Sequence, residues 1–294
     1  MKKLFYLLVF FFPVHVFAQS DLDALSKTDS VKKKEYVYAT FKGTRVINFE
    51  SVEVPGKHVL EFIIQHRFGN INSGINNFFG FDEGATIRFG LGYSYNGRLE
   101  IGIGRTSYQK MVDGYLKYRL LRQTTDNSMP VSVTLFGSAY CTTLQDPNAE
   151  QNGFNKYHYF GDRMSYVFQP IIAKKFSSKF SMQLSPTYIH YNLVDSISDK
   201  NDAFVLGISG RYKFTNRMAI TFEYGLRYKS YTEQIYYNTM GIGWDIETGG
   251  HVFQMFVTNS TGIVDPQFMT QTNTSWQNGG IRIGFNISRA FNIN

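Results

Sequence analysis

Apolar and polar residues alternate one by one along most of the chain. Ile87, Phe89 and Leu91 alternate with an arginine and two glycines, and residues 280–291 repeat the pattern close to the C-terminus. Successive side chains of a strand point to opposite faces, so each such stretch predicts a strand with one apolar and one polar face. About twelve strands are predicted in this way, at residues 59–68, 85–95, 99–107, 112–121, 131–141, 163–174, 180–191, 203–214, 218–228, 236–246, 251–259 and 280–291. In segment 112–121, the spacing of Tyr115, Tyr118 and Leu121 also suits one face of a helix.

The connections between these segments alternate in length. Tight turns are predicted at residues 96–98, 176–179, 215–217 and 247–250, and mostly longer polar loops at 69–84, 142–162, 192–202, 229–235 and 260–279. Residues 105–111 are short for their side of this pattern, and residues 122–130 are long for theirs. Bacterial outer-membrane barrels have short turns on the periplasmic side and long loops outside. The pattern predicts an all-β fold, a closed antiparallel transmembrane β-barrel of about twelve strands, with both termini in the periplasm.

Composition favours a barrel in lipid over a soluble β-sandwich, which is the alternative. The chain has 27 Phe and 20 Tyr, and many of them fall at the ends of the apolar faces, as in the aromatic girdles of membrane barrels. After residue 18, no apolar run reaches the roughly 18 residues of a membrane helix. Backbone groups in lipid must pair within the protein, and for strands this requires a closed sheet.

The chain divides into three parts. Residues 1–18 have the lysines, apolar run and small residues of a signal peptide, which predicts export by a Gram-negative bacterium to its outer membrane. Residues 19–57 are an N-terminal periplasmic tail or extension, of which 40–57 are a periplasmic extension, an extra strand or a lumen plug. Residues 58–294 are the barrel. The single cysteine, Cys141, allows no intramolecular disulfide.

The net charge of +7 indicates which partners the chain could bind. No nucleic-acid-binding signature accompanies it, so no nucleic-acid partner is expected. Anionic lipopolysaccharide, the outer-membrane lipid and a small anionic solute in the lumen explain a basic balance better. The sequence predicts no protein partner.

Seven short motifs resemble those of an uncharacterised β-barrel family of the Bacteroidota outer membrane. They are residues 41–48 (FKGTRVIN), 55–57 (PGK), 66–74 (HRFGNINSG), 77–80 (NFFG), 101–105 (IGIGR), 113–118 (DGYLKY) and 284–289 (GFNISR). The resemblance runs from about residue 40 to the C-terminus. It implies an outer-membrane barrel and supplies no catalytic residues.

The polar face of the predicted strands should line the lumen. Four arginines lie on it toward the outer end: Arg67, Arg88, Arg227 and Arg282. Three of them are on the first, second and last strands, which become neighbours when the barrel closes, and no strand acid is expected to match them. A ring of arginines favours anions over cations.

Charges of both signs are predicted elsewhere on the lumen face: Lys117, Arg119, Arg211, Lys213, Glu61 and Glu100 toward the periplasmic end, and Glu223 at mid-height. Glu100 and Arg119 are predicted to pair across adjacent strands. The alternative to a pore lining is a set of structural ion pairs that fill a small lumen. Glycines of the lumen face fit an open bore or make room for large neighbours: Gly90, Gly92, Gly102, Gly104, Gly207, Gly225, Gly241, Gly243 and Gly284.

No catalytic, cofactor-binding or metal site is predicted, and an enzyme is not expected. Ser165 and His190 are the best serine and histidine for a membrane phospholipase, but they fall on opposite faces of neighbouring strands. The first hypothesis is therefore a narrow passive channel for small, anionic solutes. The rival hypothesis is a non-conducting scaffold or surface-binding module that acts through loops 69–84, 142–162 and 260–279.

Overall fold

Twelve antiparallel strands form one closed barrel in a computed structural model that describes residues 34–146, 156–195, 199–228 and 235–293. The strands are β1 (Val59–Asn70), β2 (Thr86–Ser94), β3 (Leu99–Thr106), β4 (Met111–Leu121), β5 (Ser132–Thr142), β6 (Met164–Lys175), β7 (Phe180–Tyr191), β8 (Asp202–Lys213), β9 (Met218–Tyr228), β10 (Thr239–Thr248), β11 (His251–Thr258) and β12 (Arg282–Asn292). The predicted fold class and strand number are confirmed. The predicted signal peptide, residues 1–18, lies outside the described residues.

Each strand pairs with its neighbours in sequence, and β1 pairs with β12 to close the barrel. The closing register aligns Val59 with Asn292 and Arg67 with Gly284. On the other side of β1, Gln65 lies opposite Arg88 of β2. The first, second and last strands are therefore adjacent, as predicted.

The two faces of the wall differ in burial. On β3, Ile101 and Ile103 are exposed on the outer face, while Glu100 and Gly102 are buried on the inner face. The same alternation runs through the other strands, so apolar side chains face outward, where lipid would cover them. β4 is a strand and not a helix, because Lys117 pairs with Phe136 of β5 and the ladder continues along its length.

The two ends of the barrel differ in their connections. The turn end, where β1 begins and β12 ends, has the short connections 95–98, 176–179, 214–217 and 249–250. The loop end has the longer connections, except for residues 107–110. At the turn end, the long connection 122–131 meets the chain that precedes the barrel: Val37 N donates to Gln123 O at 2.8 Å.

Among the residues that the structure describes, no helix is long and apolar enough to cross a membrane.

Candidate functional site

Residues 40–54, here called the plug, lie inside the barrel. They form a hairpin in which Val46 N donates to Phe49 O at 2.9 Å and Ser51 N donates to Thr44 O at 2.8 Å. Ile47, Asn48 and Phe49 form its tip, and all three are completely buried. Among the three arrangements considered for residues 40–57, the described residues 40–54 therefore have the contacts of a lumen plug.

Glu223 of β9 binds the tip of the plug. Its carboxylate accepts hydrogen bonds from the backbone amides of Ile47, Asn48 and Phe49, at 3.2, 2.9 and 3.1 Å, and from Asn48 Nδ2 at 2.5 Å. Arg67 of β1 donates from Nη2 to Asn48 Oδ1 at 2.8 Å. Asn48 therefore connects a buried carboxylate with a buried guanidinium group.

A second charged group lies nearer the turn end. Glu50 of the plug pairs with Arg45 at 2.6 Å and with Lys117 of β4 at 3.0 Å. Lys117 also donates to Thr44 O at 3.1 Å, and Thr44 Oγ1 donates to Glu61 of β1 at 2.6 Å. Buried charges are costly without partners, so these contacts hold the plug and the wall together.

Amide and hydroxyl side chains of the wall satisfy the backbone of the plug. Gln183 of β7 accepts from Val52 N at 2.9 Å and donates to Glu50 O at 2.7 Å. Three further plug carbonyl groups accept from wall side chains: Val46 O from Gln254 at 2.7 Å, Ile47 O from Asn286 at 2.9 Å and Val52 O from Thr134 at 2.7 Å. The wall uses its side chains here because its own backbone groups are paired in the barrel.

Lumen glycines make room for the apolar side chains of the plug. A Cβ on Gly207 would lie 2.5 Å from the ring of Phe49, and one on Gly225 would lie 3.0 Å from it. A Cβ on Gly241 or Gly243 would lie 3.2 Å from Ile47. These glycines are therefore sockets for the plug.

The other lumen glycines adjoin side chains of the wall itself. A Cβ on Gly102 would lie 2.2 Å from Tyr115, one on Gly104 would lie 2.2 Å from Arg88, and one on Gly284 would lie 2.5 Å from Phe256.

A loop fills the lumen from the loop end. Residues 259–272, here called the inner loop, contain the short helix α1 (Asp265–Thr270), all of whose residues are buried. The rings of Phe268 and Phe49 meet edge to face with their centroids 5.0 Å apart. The expectation of an outward polar loop at 260–279 is wrong for this part, because Ile263, Val264, Phe268 and Met269 leave water for the interior.

Polar contacts fix the inner loop to the wall. The Tyr140 hydroxyl donates to the Asp265 carboxylate, and Tyr191 donates to Pro266 O at 2.9 Å. Arg227 of β9 donates to Thr270 O at 2.7 Å. Burial raises the pKa of Asp265 to about 6, although the nearby Arg45 acts to lower it.

All eleven predicted pore-lining residues occupy inner-face positions of their strands. The structure brings Arg67 and Glu223 together on Asn48, and Lys117 and Glu61 together on Thr44. Arg119 donates to Val54 O at 2.6 Å, at the end of the plug.

Two predicted charge relationships are wrong. Arg88 does have a matching strand acid, because it pairs with Asp113 of β4 at 2.5 Å. Glu100 does not pair with Arg119; it accepts from the Tyr115 hydroxyl at 2.8 Å, while Arg119 is directed to the plug.

The remaining predicted residues lie apart from the plug tip. Arg211 lies 3.9 Å from Asp245 of β10, and Arg282 donates to Phe68 O at 3.5 Å. Lys213 lies at the turn-end limit of β8. Among the described residues, no group of three or more histidine, cysteine or acidic side chains has the arrangement of a metal site.

Sequence reasoning missed the neutral residues that hold the plug: Asn48, Gln183, Gln254 and Asn286. Their signal was available, because the three wall residues are amides at buried inner-face positions. A buried amide inside a barrel needs hydrogen-bond partners, and an internal chain segment supplies them.

Comparisons with known proteins concern the whole barrel. Residues 41–291 match the model of the family described as "Membrane bound beta barrel domain (DUF5777)". None of the curated proteins compared matches the chain.

Among solved structures, the NanC porin is 7% identical with a TM-score of 0.49, and the match covers 80% of this chain and 100% of the porin. An outer membrane channel from Pseudomonas putida F1 is 14% identical with a TM-score of 0.47, over 82% of this chain and 98% of the channel. The KdgM porin, solved in complex with disordered oligogalacturonate, is 8% identical with a TM-score of 0.46, over 80% of this chain and 99% of the porin. These likenesses concern the barrel fold alone.

Proposed function

Because the chain belongs to this family of membrane-bound β-barrels, we propose that it is an outer-membrane channel for small anionic solutes, closed at rest by the plug and the inner loop. Solute passage then requires the plug to leave the lumen and the inner loop, which packs on Phe49 through Phe268, to move aside. The short connections and both termini lie on the periplasmic side, and the outer face contacts membrane lipid and lipopolysaccharide.

The observation that carries this proposal is the polarity of the wall around the plug. The wall atoms that form hydrogen bonds with the plug belong to charged, amide and hydroxyl side chains, among them Glu223, Lys117 and Gln183. A hydrogen bond contributes about 0.5–1.5 kcal/mol net, or about 1.5–3 kcal/mol when one partner is charged, so each group exchanges its protein partner for water at modest cost. A lumen of this kind stays wettable after the plug leaves.

The anion preference rests on three arginines of the loop-end half. Arg67, Arg227 and Arg282 donate to neutral oxygen atoms: those of Asn48 and Asn286, of Thr270 and Tyr236, and of Phe68, respectively. Among the described residues, none of the three has a carboxylate within ion-pair distance, whereas Arg88 is neutralised by Asp113. The excess positive charge favours anions in the lumen.

Single-channel recording in a planar bilayer tests the proposal. The wild-type protein should conduct rarely, and Glu223→Ala with Phe49→Ala should give steady openings because the plug tip loses its carboxylate partner and its socket contact. Glu100→Gln is the matched control, since it alters a lumen carboxylate that binds Tyr115 and not the plug.

Release of the plug needs its own readout. Ser51 is fully buried, whereas Tyr38, just before the plug, is 76% exposed. In a Cys141→Ser background, a maleimide should label Ser51→Cys slowly in the otherwise wild-type barrel and quickly when Glu223→Ala and Phe49→Ala are added. Quick labelling of the Ser51→Cys thiol in a barrel that never conducts would overturn the proposal of a channel.

The rival scaffold is favoured by one specific observation, the apolar cluster between plug, inner loop and wall. Phe49, Val264 and Phe268 pack with Met111, Val167, Ile189 and Val205, and exposure of this cluster to water costs free energy. A permanently filled barrel would leave function to the outer loops. Persistent protection of the Ser51→Cys thiol, with no conductance in any plug variant, is the result that this alternative requires.

A further inference from the structure

A basic cavity lies at the turn end, beside the plug. Its volume is about 420 Å³, within the range of small-molecule sites of roughly 300–1,000 Å³. Its walls are the chain that enters the plug, the chain that leaves it, the β2–β3 turn and the end of β4. The cavity is separate from the buried polar group of Asn48, Glu223 and Arg67.

The charge of the cavity is strongly unbalanced. Lys57, Arg98, Arg119 and Arg122 line it, together with one carboxylate, that of Glu53. Glu53 accepts from Thr40 N at 2.8 Å and lies 3.4 Å from Arg119. Within the described part of the chain, no carboxylate forms an ion pair with Lys57, Arg98 or Arg122.

Two of the arginines are already oriented. Arg119 donates to Val54 O and Gly97 O at 2.6 and 3.2 Å. The guanidinium of Arg122 stacks on Tyr36, with its central carbon 4.4 Å from the ring centroid. Orientation before binding lowers the entropy lost by long side chains when a ligand arrives.

We propose that this cavity binds a small multivalent anion that carries phosphate or carboxylate groups, held by Arg98, Arg119 and Arg122. Planar guanidinium groups match both kinds of oxyanion through paired hydrogen bonds. Four cations against one carboxylate attract a multivalent anion more strongly than chloride, because each added charge gains Coulomb energy in the same partly enclosed site.

The site has a regulatory consequence, which rests on the proposed function. The cavity touches Thr40 at the start of the plug and residues 52–54 at its end, so a bound anion would contact both. A ligand that binds the closed arrangement better shifts the population toward it. The anion is then expected to lower the open probability of the channel from the turn side.

Isothermal titration calorimetry on the full-length, detergent-folded protein tests binding without any reference to conductance. The soluble probes are inorganic pyrophosphate and citrate. Saturable binding is expected, and it should weaken as salt is raised from about 50 to about 500 mM because screening shortens the reach of the charges. Heat that does not saturate would overturn the proposal.

Matched arginine variants locate the site. Arg98→Gln with Arg122→Gln should weaken binding about tenfold or more, since two charge-assisted contacts are lost. Arg217→Gln removes an arginine from another turn at the same end and should leave the affinity within about twofold. Equal loss in both variants would overturn the assignment. Lys57→Gln is a second probe with the same expected direction, should the double variant fail to show a heat-modifiable barrel.

A lipid arm separates the two sources of phosphate. The same protein is reconstituted in nanodiscs with and without phosphatidylglycerol and analysed by native mass spectrometry. Pyrophosphate binding in lipid free of phosphatidylglycerol supports a soluble ligand. Retention of phosphatidylglycerol through Arg98 and Arg122, with no pyrophosphate binding, would overturn it. Because these readouts do not need an open pore, they hold or fail independently of the channel proposal.

Discussion

Glu223 and Asn48 lie 175 residues apart in the chain, and the Glu223 carboxylate accepts hydrogen bonds from both the backbone amide and the side-chain amide of Asn48, at 2.9 and 2.5 Å. Through these bonds, Glu223 connects the middle of the barrel wall to the tip of the plug. The same carboxylate also accepts from Ile47 N and Phe49 N, so one side chain of the wall orders three consecutive residues inside the lumen.

Loss of this carboxylate should destabilise the protein strongly. Glu223→Ala is expected to lower the free energy of unfolding by about 3–5 kcal/mol, because it leaves the buried amide donors of residues 47–49 without their acceptor and removes the carboxylate that Asn48 connects to the buried Arg67 guanidinium. Denaturant unfolding in micelles, followed by tryptophan fluorescence, measures the change. A double-mutant cycle with Asn48→Ala should show coupling, and strictly additive losses would contradict the contact.

The glycine sockets predict a steric effect of a single methyl group. Gly207→Ala should cost about 1–3 kcal/mol, because the new Cβ would lie 2.5 Å from Phe49. Gly137→Ala is the matched control, since its Cβ would have no neighbour within 4 Å. Phe49→Leu should be better tolerated in the Gly207→Ala variant than in the wild-type protein. Equal losses at positions 207 and 137 would argue against a socket.

The buried pair Arg88–Asp113 predicts a rescue. Arg88→Gln alone should cost about 3–5 kcal/mol, because it leaves the Asp113 carboxylate buried without its cation. Arg88→Gln with Asp113→Asn removes both charges and should recover most of that loss in the same unfolding measurement. If the double variant were no more stable than Arg88→Gln, the ion pair would not be the source of the effect.

Ion selectivity should depend on Arg282 and not on Arg88. In the plug-released double variant, Arg282→Glu is expected to shift the reversal potential toward cations, since it reverses a charge that has only the neutral Phe68 O as its hydrogen-bond acceptor among the described residues. Neutralising Arg88 together with Asp113 should leave the reversal potential in place. The measurement is made under a salt gradient. A larger shift of the reversal potential on neutralising Arg88 and Asp113 than on Arg282→Glu would show that Arg282 does not set the anion preference.

The inner loop should pack more firmly at acid pH. Asp265 faces Arg45 and Glu50 of the plug, Tyr140 of β5 and Arg88 of β2, and burial raises its pKa to about 6. In a released loop its pKa would return to about 4, so the packed loop binds the proton more tightly. The packed loop therefore gains stability as the pH falls from about 6 toward about 4, the pKa of Asp265 in the released loop. It loses that stability as the pH rises through about 6.

Labelling tests this pH dependence. In a Cys141→Ser background, the rate for Met269→Cys, whose parent residue is fully buried, is divided by the rate for the exposed position Tyr38→Cys. The ratio should fall as the pH is lowered through the Asp265 pKa of about 6. Asp265→Asn should give a ratio independent of pH, and an unchanged slope would exclude Asp265 as the titrating group.

The strands were predictable because each face of the wall meets a different environment. Ile101 and Ile103 face outward and Gly102 inward, so the sequence carries a period of two. That periodicity assigns a face but not a partner. Asp113 shares the inward face of Lys117, but it lies on β4, two strands from Arg88 on β2, and a period of two does not show that such side chains meet.

The contents of the lumen follow another rule. Asn48 meets Glu223 and Arg67 only when the barrel is closed around it, so no local pattern specifies the contact. The inner loop carried a clearer signal, since Ile263, Val264, Phe268 and Met269 are too apolar for a loop in water. The role of the eleven inner-face charges in conduction stays a prediction.

The closing seam between β1 and β12 has a consequence for biogenesis. The plug binds both sides of that seam, through Arg67 on β1 and Asn286 on β12. A plug that is already inside the barrel when the last strand docks would hold the two edges of the sheet in register. Lumen filling is thus expected to assist barrel closure, and a chain with a damaged plug should close its barrel more slowly than the wild-type chain.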